Sequence, residues 1–491
     1  MVTAEKMMSV DGQHALQDMV ELEMYLLAQS RLAPWSMLPR RGPPHHSGAA
    51  WPYPDRHHGA LCRRLSQRHR ACHQSAGPTG ASTPSGKTPS PALAAMPQPA
   101  VELADIFRQH GPVYRQEHDL PLHQHRLMQA IENCRTPRMG AAVEWCDHCQ
   151  YIHIQYRSCR NRHCPKCQGL ARAQWLEQRH AELLPVDYFH VVFTVPEPIA
   201  NIAFYNKEVV YDILFRATAQ TLLTIARDPQ RLGVEMGFFA VLHTWGQNLH
   251  FHPHLHCVVP GGGLSPDHQR WIRGRRRFLL PVKVLSSLFQ RLFLEALEEA
   301  YADGKLQFFG DSKPLRHPPA FAGFLALWKK KKWVVYAKAP FGGPQHVLEY
   351  LGRYTHRVAI SNRRLLALQE GQVSFQWKDY RDAQQQKVMT VPADEFIRRF
   401  LQHALPTGFQ RIRYYGFLAN CHRSHRLVLC RRLLALATPY SELLPHPSAC
   451  RDFYAAMAGS NLRLCPQCGG ILSRLLVPPS HGPLPAPPDT S

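Results

Sequence analysis

HTWGQNLHFHPHLHCVVPGGG, spanning His243–Gly263, is the stretch from which the rest of this chain is read. From His254 to Gly263 it has the apolar and β-branched content, closed by Pro and Gly, of a strand. Side chains alternate between the faces of a strand, so His254 and His256 share one face and Leu255 points toward a core. Two imidazoles at i and i+2 can hold a divalent metal and leave positions open for a third side chain and for substrate oxygens. In a chain with 30 histidines the competing reading is a satisfied histidine pair in a sheet. What lifts the metal reading lies farther along the chain.

Tyr350 and Tyr354 sit in QHVLEYLGRYTHRVAI, within an expected helix over Pro344–Arg357. Residues four apart share a helical face, so the two phenols stand one above the other. Tyrosine can attack phosphorus when the charge developing on the phosphate is stabilised. Arg353, His356 and Arg357 surround the pair, and a buried aromatic stripe is not normally flanked by that many cations.

Around these motifs, FHVVFTVP (Phe189–Pro196), GFFAVLHTWG (Gly237–Gly246) and KWVVYAKAP (Lys332–Pro340) read as further strands. Val209–Ala226 and Val284–Ala302 carry helical apolar periodicity. The elements do not follow strict βαβ alternation, so the expected class is α+β.

The composition narrows the partners. The 491 residues hold 58 Lys+Arg against 36 Asp+Glu, a net charge of +22, with 45% hydrophobic residues to build cores. Such an excess of cations favours a polyanion, and nucleic acid fits better than a membrane because no basic amphipathic segment or lipidation motif accompanies it. No run approaches the ~18 uninterrupted apolar residues of a spanning helix, and the N-terminus has no secretory pattern, so a cytoplasmic protein is expected. Basic runs at Arg273–Arg277 and Lys329–Lys332, with Trp271, Trp328 and Trp333 nearby, offer charge and stacking surfaces for a single strand, although solvated loops explain each run alone.

Cysteine usage agrees with a reducing compartment. Cys146–Cys149 and Cys164–Cys167 are two C-x-x-C knuckles with 14 residues between them, close to the spacing of a four-thiolate structural zinc site. These four are expected to hold one Zn2+, with Cys134, Cys159 and His163 as competing ligands or a second site. Cys465–Cys468 is a third knuckle whose partners the spacing does not name; Cys421, Cys430, Cys450, His422 and His425 are all candidates.

Taken together, SCRNRHCPKC (Ser158–Cys167), the His243–Gly263 stretch, WVVYAKAPFGGPQHVLEYLGRYTHRVAISNRRL (Trp333–Leu365) and YYGFLAN (Tyr414–Asn420) resemble the transposases of insertion-sequence family ninety-one. These belong to the HUH superfamily of single-strand endonucleases. The resemblance covers about residues 100–470 and implies an HUH endonuclease-like antiparallel sheet with helices packed mainly on one side, preceded by a small zinc-binding domain. It implies that His254 and His256 hold Mg2+ or Mn2+ and that Tyr350 and Tyr354 are nucleophiles. A tyrosine would attack a phosphodiester of single-stranded DNA at the element's ends, giving a 5′-phosphotyrosine and a free 3′-OH, and the strand would then be passed to target DNA. The third metal ligand stays open among Gln247, Gln345 and Glu349, and Lys338, Arg353 and Arg357 are candidate DNA contacts. A replication initiator of similar chemistry and a non-catalytic zinc-dependent DNA-binding regulator are the alternatives.

The expected organisation is a zinc-binding domain over 96–185, a catalytic domain over 186–420, a C-terminal region over 421–477 and a Pro-rich tail over 478–491. Residues 1–95 lack apolar periodicity from Pro34 onward and read as disordered, with one short amphipathic piece at Asp18–Leu32. The change of style at Met96 raises the expectation that translation starts there.

Overall fold

The computed structural model describes residues 101–167, 182–275, 279–338, 358–379, 385–434 and 464–477, with a few isolated positions between them. The N-terminal stretch, the expected helix over Pro344–Arg357 and the Pro-rich tail lie outside the described residues.

The chain enters through α1 (Leu103–Glu117) and α2 (Leu122–Asn133). The backbone N–H of Glu102 donates to the Asp105 carboxylate at 2.9 Å, closing the start of α1. A hairpin follows, β1 (Ala141–Cys146) and β2 (Ile152–Tyr156). Next come β3 (Tyr188–Thr194), α3 (Glu197–Tyr205), α4 (Lys207–Arg227), β4 (Gly237–Trp245), β5 (Phe251–Pro260), β6 (Gly262–Leu264) and β7 (Trp271–Arg273). Then α5 (Val282–Ala302), α6 (Pro318–Lys330) and β8 (Val335–Lys338) precede a meander of β9 (Leu365–Gln369), β10 (Gln372–Asp379) and β11 (Gln385–Pro392). The described chain ends with α7 (Ala393–Leu401), β12 (Ile412–Gly416), α8 (Arg423–Leu433) and β13 (Leu472–Val477).

The central sheet has five strands in the order β12-β4-β5-β3-β8, each pair antiparallel, so β5 lies in the middle. One face is apolar throughout: Val191, Phe193, Phe238, Ala240, Leu242, Leu255 and Cys257 pack against residues of α4 and α5 such as Phe215, Leu222, Phe289 and Phe293. By length and composition α4 could cross a membrane, yet here it is a core helix with Tyr211, Leu214, Phe215 and Leu222 fully buried. The mixed α and β content with antiparallel sheets agrees with the class read from the sequence.

Proline is disfavoured inside a central strand because it lacks a ladder N–H. β5 nevertheless begins at Phe251 and runs through Pro253. The β4–β5 register shifts between His243 and Trp245, and the β3–β5 pairing stops at Thr194 opposite His254, so Pro253 sits where the ladder is already interrupted. At the other end Gly262 has φ +156°, and a Cβ there would stand 2.4 Å from the Ile272 carbonyl oxygen; this close approach lets β6 fold onto β7.

A second core joins α1 and α2 to the meander and α7 through Phe107, Met128, Phe375, Phe396 and Phe400. Trp245 and Leu249, from the end of β4 and the turn after it, belong to this core as well. The β4–β5 turn is therefore held from two sides. A third sheet, β13-β1-β2, has β1 at its centre.

Candidate metal sites on the sheet and in the cysteine clusters

Residues directly opposite one another on paired strands share a face. His254 lies opposite His243 on β4 and Thr194 on β3, while His256 lies opposite Val241 and Val192. His190 faces Val258 and Lys338. All of these occupy the face away from the helix-packed core, and Leu255 between the two histidines is fully buried in that core.

His243, His254 and His256 form a cluster whose ring nitrogens lie within 4.8 Å of one another. The His243 and His256 ring centroids are 4.5 Å apart, and those of His254 and His256 are 4.8 Å apart. His254 Nδ1 donates to the His252 carbonyl at 2.7 Å, which leaves Nε2 as the nitrogen able to ligate. Nδ1 of His256 is 2.8 Å from Nε2 of His190, so the ligating nitrogen of His256 is again Nε2. Burial pulls His254 down to about 4, against the opposing effect of its bond to His252, and keeps the ring neutral at neutral pH. His190 is brought to about 3 by burial, then by the positive charge of Lys338 and by His254 once that ring is protonated. A neutral imidazole with its far nitrogen committed is the form that binds a metal.

The third member of this cluster is His243, the first residue of the decisive stretch. Of the ligands named by proximity, Gln247 lies in the β4–β5 turn, where its carbonyl accepts from the Arg364 guanidinium. Gln345 and Glu349 lie outside the described residues, as do Tyr350, Tyr354, Arg353 and Arg357. Register gives the missed signal: in an antiparallel pair joined by a short turn, His243 is the β4 residue that meets His254. Lys338 is described, buried at the end of β8 on the histidine face.

The cysteines assemble differently from the expected single site. Cys134, Cys159, Cys164 and Cys167 form one group of four sulfurs, and Cys146, Cys149, Cys465 and Cys468 form another. The one-ion site of Cys146, Cys149, Cys164 and Cys167 is thus corrected. The reason is the hairpin: Cys146 and Cys149 stand at its tip, and strands of 6 and 5 residues, at ~3.3 Å per residue, carry that knuckle away from Cys164 and Cys167 beyond its base. Cys134 and Cys159 flank the base, which is tied by Arg135 N–H to the Arg157 carbonyl at 3.1 Å.

In the first group the Cys134 and Cys159 sulfurs lie 3.3 and 3.5 Å from that of Cys167. These are free thiols, and a tetrahedral ion with Zn–S of ~2.3 Å sets its sulfurs ~3.8 Å apart, so the donor set fits zinc. His163, a competitor in the sequence, instead accepts from the Leu405 N–H at 3.4 Å. Neighbouring Arg162 donates to the carbonyls of Phe409 and Pro406, which fastens this loop to the segment leading into β12.

Three imidazoles converging from the adjacent central strands β4 and β5, together with two groups of four thiols, define a mixed α and β protein with candidate metal sites. Residues 106–195 match a family model described as "Transposase zinc-binding domain", and residues 237–425 match one described as "Putative transposase". "Putative transposase y4qJ" of Sinorhizobium fredii is 60% identical over 368 residues, covering 75% of this chain and 92% of that relative. "Transposase for insertion sequence element IS801" of Pseudomonas savastanoi pv. phaseolicola is 28% identical over 360 residues, 68% of this chain and 79% of that relative. No solved structure matches the chain. The chain belongs to the transposases of insertion-sequence family ninety-one.

Proposed function

We propose that this transposase is an HUH-type endonuclease and strand transferase that cuts and rejoins single-stranded DNA during rolling-circle transposition. The observation that carries the reading is the convergence of His243 on β4 with His254 and His256 on β5, on the sheet face away from the α4–α5 core, with His254 and His256 oriented by His252 and His190. An all-imidazole donor set fits Mn2+ better than Mg2+, which prefers oxygen ligands. Those three residues would hold the ion, whose chemistry when bound is to polarise a phosphate oxygen.

The phenol oxygen of Tyr350 or Tyr354 attacks the scissile phosphorus. A Tyr O–P bond forms as the P–O3′ bond breaks, the leaving 3′ oxygen takes up a proton, and the 5′ phosphate stays on the tyrosine. Attack by a 3′-OH reverses these bonds and releases the strand to its new partner. Lys338, Arg353 and Arg357 offer cations for the DNA backbone. Cys134, Cys159, Cys164 and Cys167 hold a structural Zn2+ that orders the region between α2 and the central sheet. The catalytic portion spans 186–420, with the zinc-binding portion at 96–185, and the protein works in the bacterial cytosol.

The test incubates the protein with Mn2+ and single-stranded oligonucleotides carrying the element's ends. A denaturing gel should show a covalent protein–DNA adduct that is lost when Tyr350 and Tyr354 are both changed to Phe. DNA binding without any adduct from the unaltered protein rejects the nuclease reading in favour of a regulator. Full cleavage and strand transfer by both single Tyr→Phe variants rejects the paired nucleophiles.

A further inference from the structure

We infer that Cys146, Cys149, Cys465 and Cys468 hold a second zinc ion, which braces the end of the described chain onto the tip of the β1–β2 hairpin. The inference goes beyond the transposase zinc-binding match, which ends at residue 195 and contains only half of this group. The other half arrives from more than 300 residues away: Cys468 Sγ lies 3.4 Å from Cys146 Sγ across 322 positions, and Cys465 Sγ 3.4 Å from Cys149 Sγ across 316.

The two knuckles have the same backbone. Cys146 N–H donates to the Tyr151 carbonyl at 2.9 Å, and Gln150 N–H donates back to the Cys146 carbonyl at 2.9 Å. Cys465 N–H donates to the Gly470 carbonyl at 2.7 Å, and Gly469 N–H donates back to the Cys465 carbonyl at 2.9 Å. The fifth residue of each turn is left-handed, Gln150 at φ 60° and Gly469 at φ 74°. This repeated turn points both sulfurs of a C-x-x-C pair to one side, as a shared tetrahedral ion requires. A Cβ on Gly470 would stand 3.2 Å from the Cys146 sulfur and 3.4 Å from the Cys468 sulfur, so glycine leaves the ligand room.

Packing alone gives β13 little reason to stay. It pairs with β1 from Ala141 opposite Val477 to Cys146 opposite Leu472, yet Leu475 and Leu476 are 56% and 60% exposed. On the far side of β1, every residue of β2 is exposed. A sheet with so small an interior is of the kind that a metal staples. Among the described residues, side-chain contacts between the two knuckle segments include Ser473 Oγ donating to Asp147 at 3.3 Å, Arg474 3.5 Å from the Glu144 carboxylate, and Cys149 Sγ 3.9 Å from Gln467 Oε1.

The test counts zinc per chain by mass spectrometry on the full-length unaltered protein and its variants after exhaustive dialysis. Unaltered protein should carry two ions, and Cys465→Ser/Cys468→Ser one. Cys159→Ser/Cys164→Ser should also carry one, and the exposed Cys421→Ser two. In the Cys465→Ser/Cys468→Ser variant, limited proteolysis should remove the segment beyond residue 434 at least tenfold faster, while Cys465→His retains the second ion and the protection. The inference fails if Cys465→Ser/Cys468→Ser holds as much zinc as the unaltered protein. It also fails if the zinc count falls without any change in proteolysis. A single ion lost with Cys465→Ser/Cys468→Ser but kept in Cys159→Ser/Cys164→Ser supports this site and rejects the first cluster instead. Where the double variant does not purify, one ion in the unaltered protein that survives Cys465→His at full occupancy and disappears in Cys159→Ser overturns the inference.

Discussion

His190 Nε2 lies 2.8 Å from His256 Nδ1, across the pairing of β3 with β5, and this contact decides which nitrogen of His256 faces His243 and His254. His190 is not one of the three clustered imidazoles but bonds and stacks on His256, so it acts as a positioning residue. Removing an outer hydrogen-bond partner of a ligating histidine lowers metal affinity by roughly 10–100-fold. His190→Ala should weaken Mn2+ binding by about that factor, and His190→Gln, which keeps a hydrogen-bonding group, should recover part of it. Calorimetric titration of Mn2+ into protein cleared of loosely held metal measures both. Equal affinity in His190→Ala and the unaltered protein would remove His190 from the site.

His243 and Gln247 make opposite predictions. His243→Ala takes away one of three converging imidazoles, so Mn2+ affinity and adduct formation should both collapse. Gln247→Ala should leave both within about twofold, because three imidazoles already converge on the site and the Gln247 backbone carbonyl that accepts from Arg364 survives the substitution. Comparing the two variants in the oligonucleotide assay separates a ligand from a loop residue. A loss of adduct confined to Gln247→Ala would reverse the assignment.

The helix-packed face of the central sheet supplies the rigidity on which the histidine face depends. Phe193 is fully buried, with its ring 5.0 Å from that of Phe289 in an edge-on contact between β3 and α5. Phe193→Ala should cost about 3–5 kcal/mol of folding stability through the cavity it leaves, read as a lower urea midpoint. Val388→Ala, on an exposed position of β11, should change it by less than about 0.5 kcal/mol.

The strands and long helices were legible because their signals are local. Alternation along His254–Gly263 places His254 and His256 on one face and Leu255 in the core, and the structure agrees. Two things escaped that reading because they are set by pairing between distant segments. His243 joins the site through the β4–β5 register, and Cys465 and Cys468 join Cys146 and Cys149 through a pairing more than 300 residues apart. Counting 14 residues between two knuckles favours one shared ion, whereas AAVEWC and IHIQY on either side of the first knuckle form a hairpin that separates them. The strand read from the sequence starts at His254, whereas β5 starts at Phe251, and the register shift beside Pro253 is what accommodates a proline there.

Acid should destabilise the fold through histidines buried in their neutral form. His403 is 1% exposed; its Nε2 donates to the Leu249 carbonyl and its Nδ1 accepts from Thr244 Oγ1, both at 3.2 Å. Burial, together with the positive charge of Lys207, takes it down to about 3 from its ordinary 6.5, although the bond to Leu249 opposes the shift. The unfolded chain therefore binds a proton that the folded chain refuses. Stability from this group is complete above pH 6.5 and is lost as pH falls from 6.5 toward 3. The loss is about 1.4 kcal/mol per pH unit, or about 2 kcal/mol between pH 7 and pH 5. His403→Gln keeps hydrogen-bonding capacity without a titrating ring. It should be less stable than the unaltered protein near neutrality, by about 1–3 kcal/mol, yet lose about 2 kcal/mol less than the unaltered protein does between those two pH values. Urea midpoints at both pH values give the comparison, and parallel losses in the two proteins would show that His403 is not the group whose protonation weakens the fold.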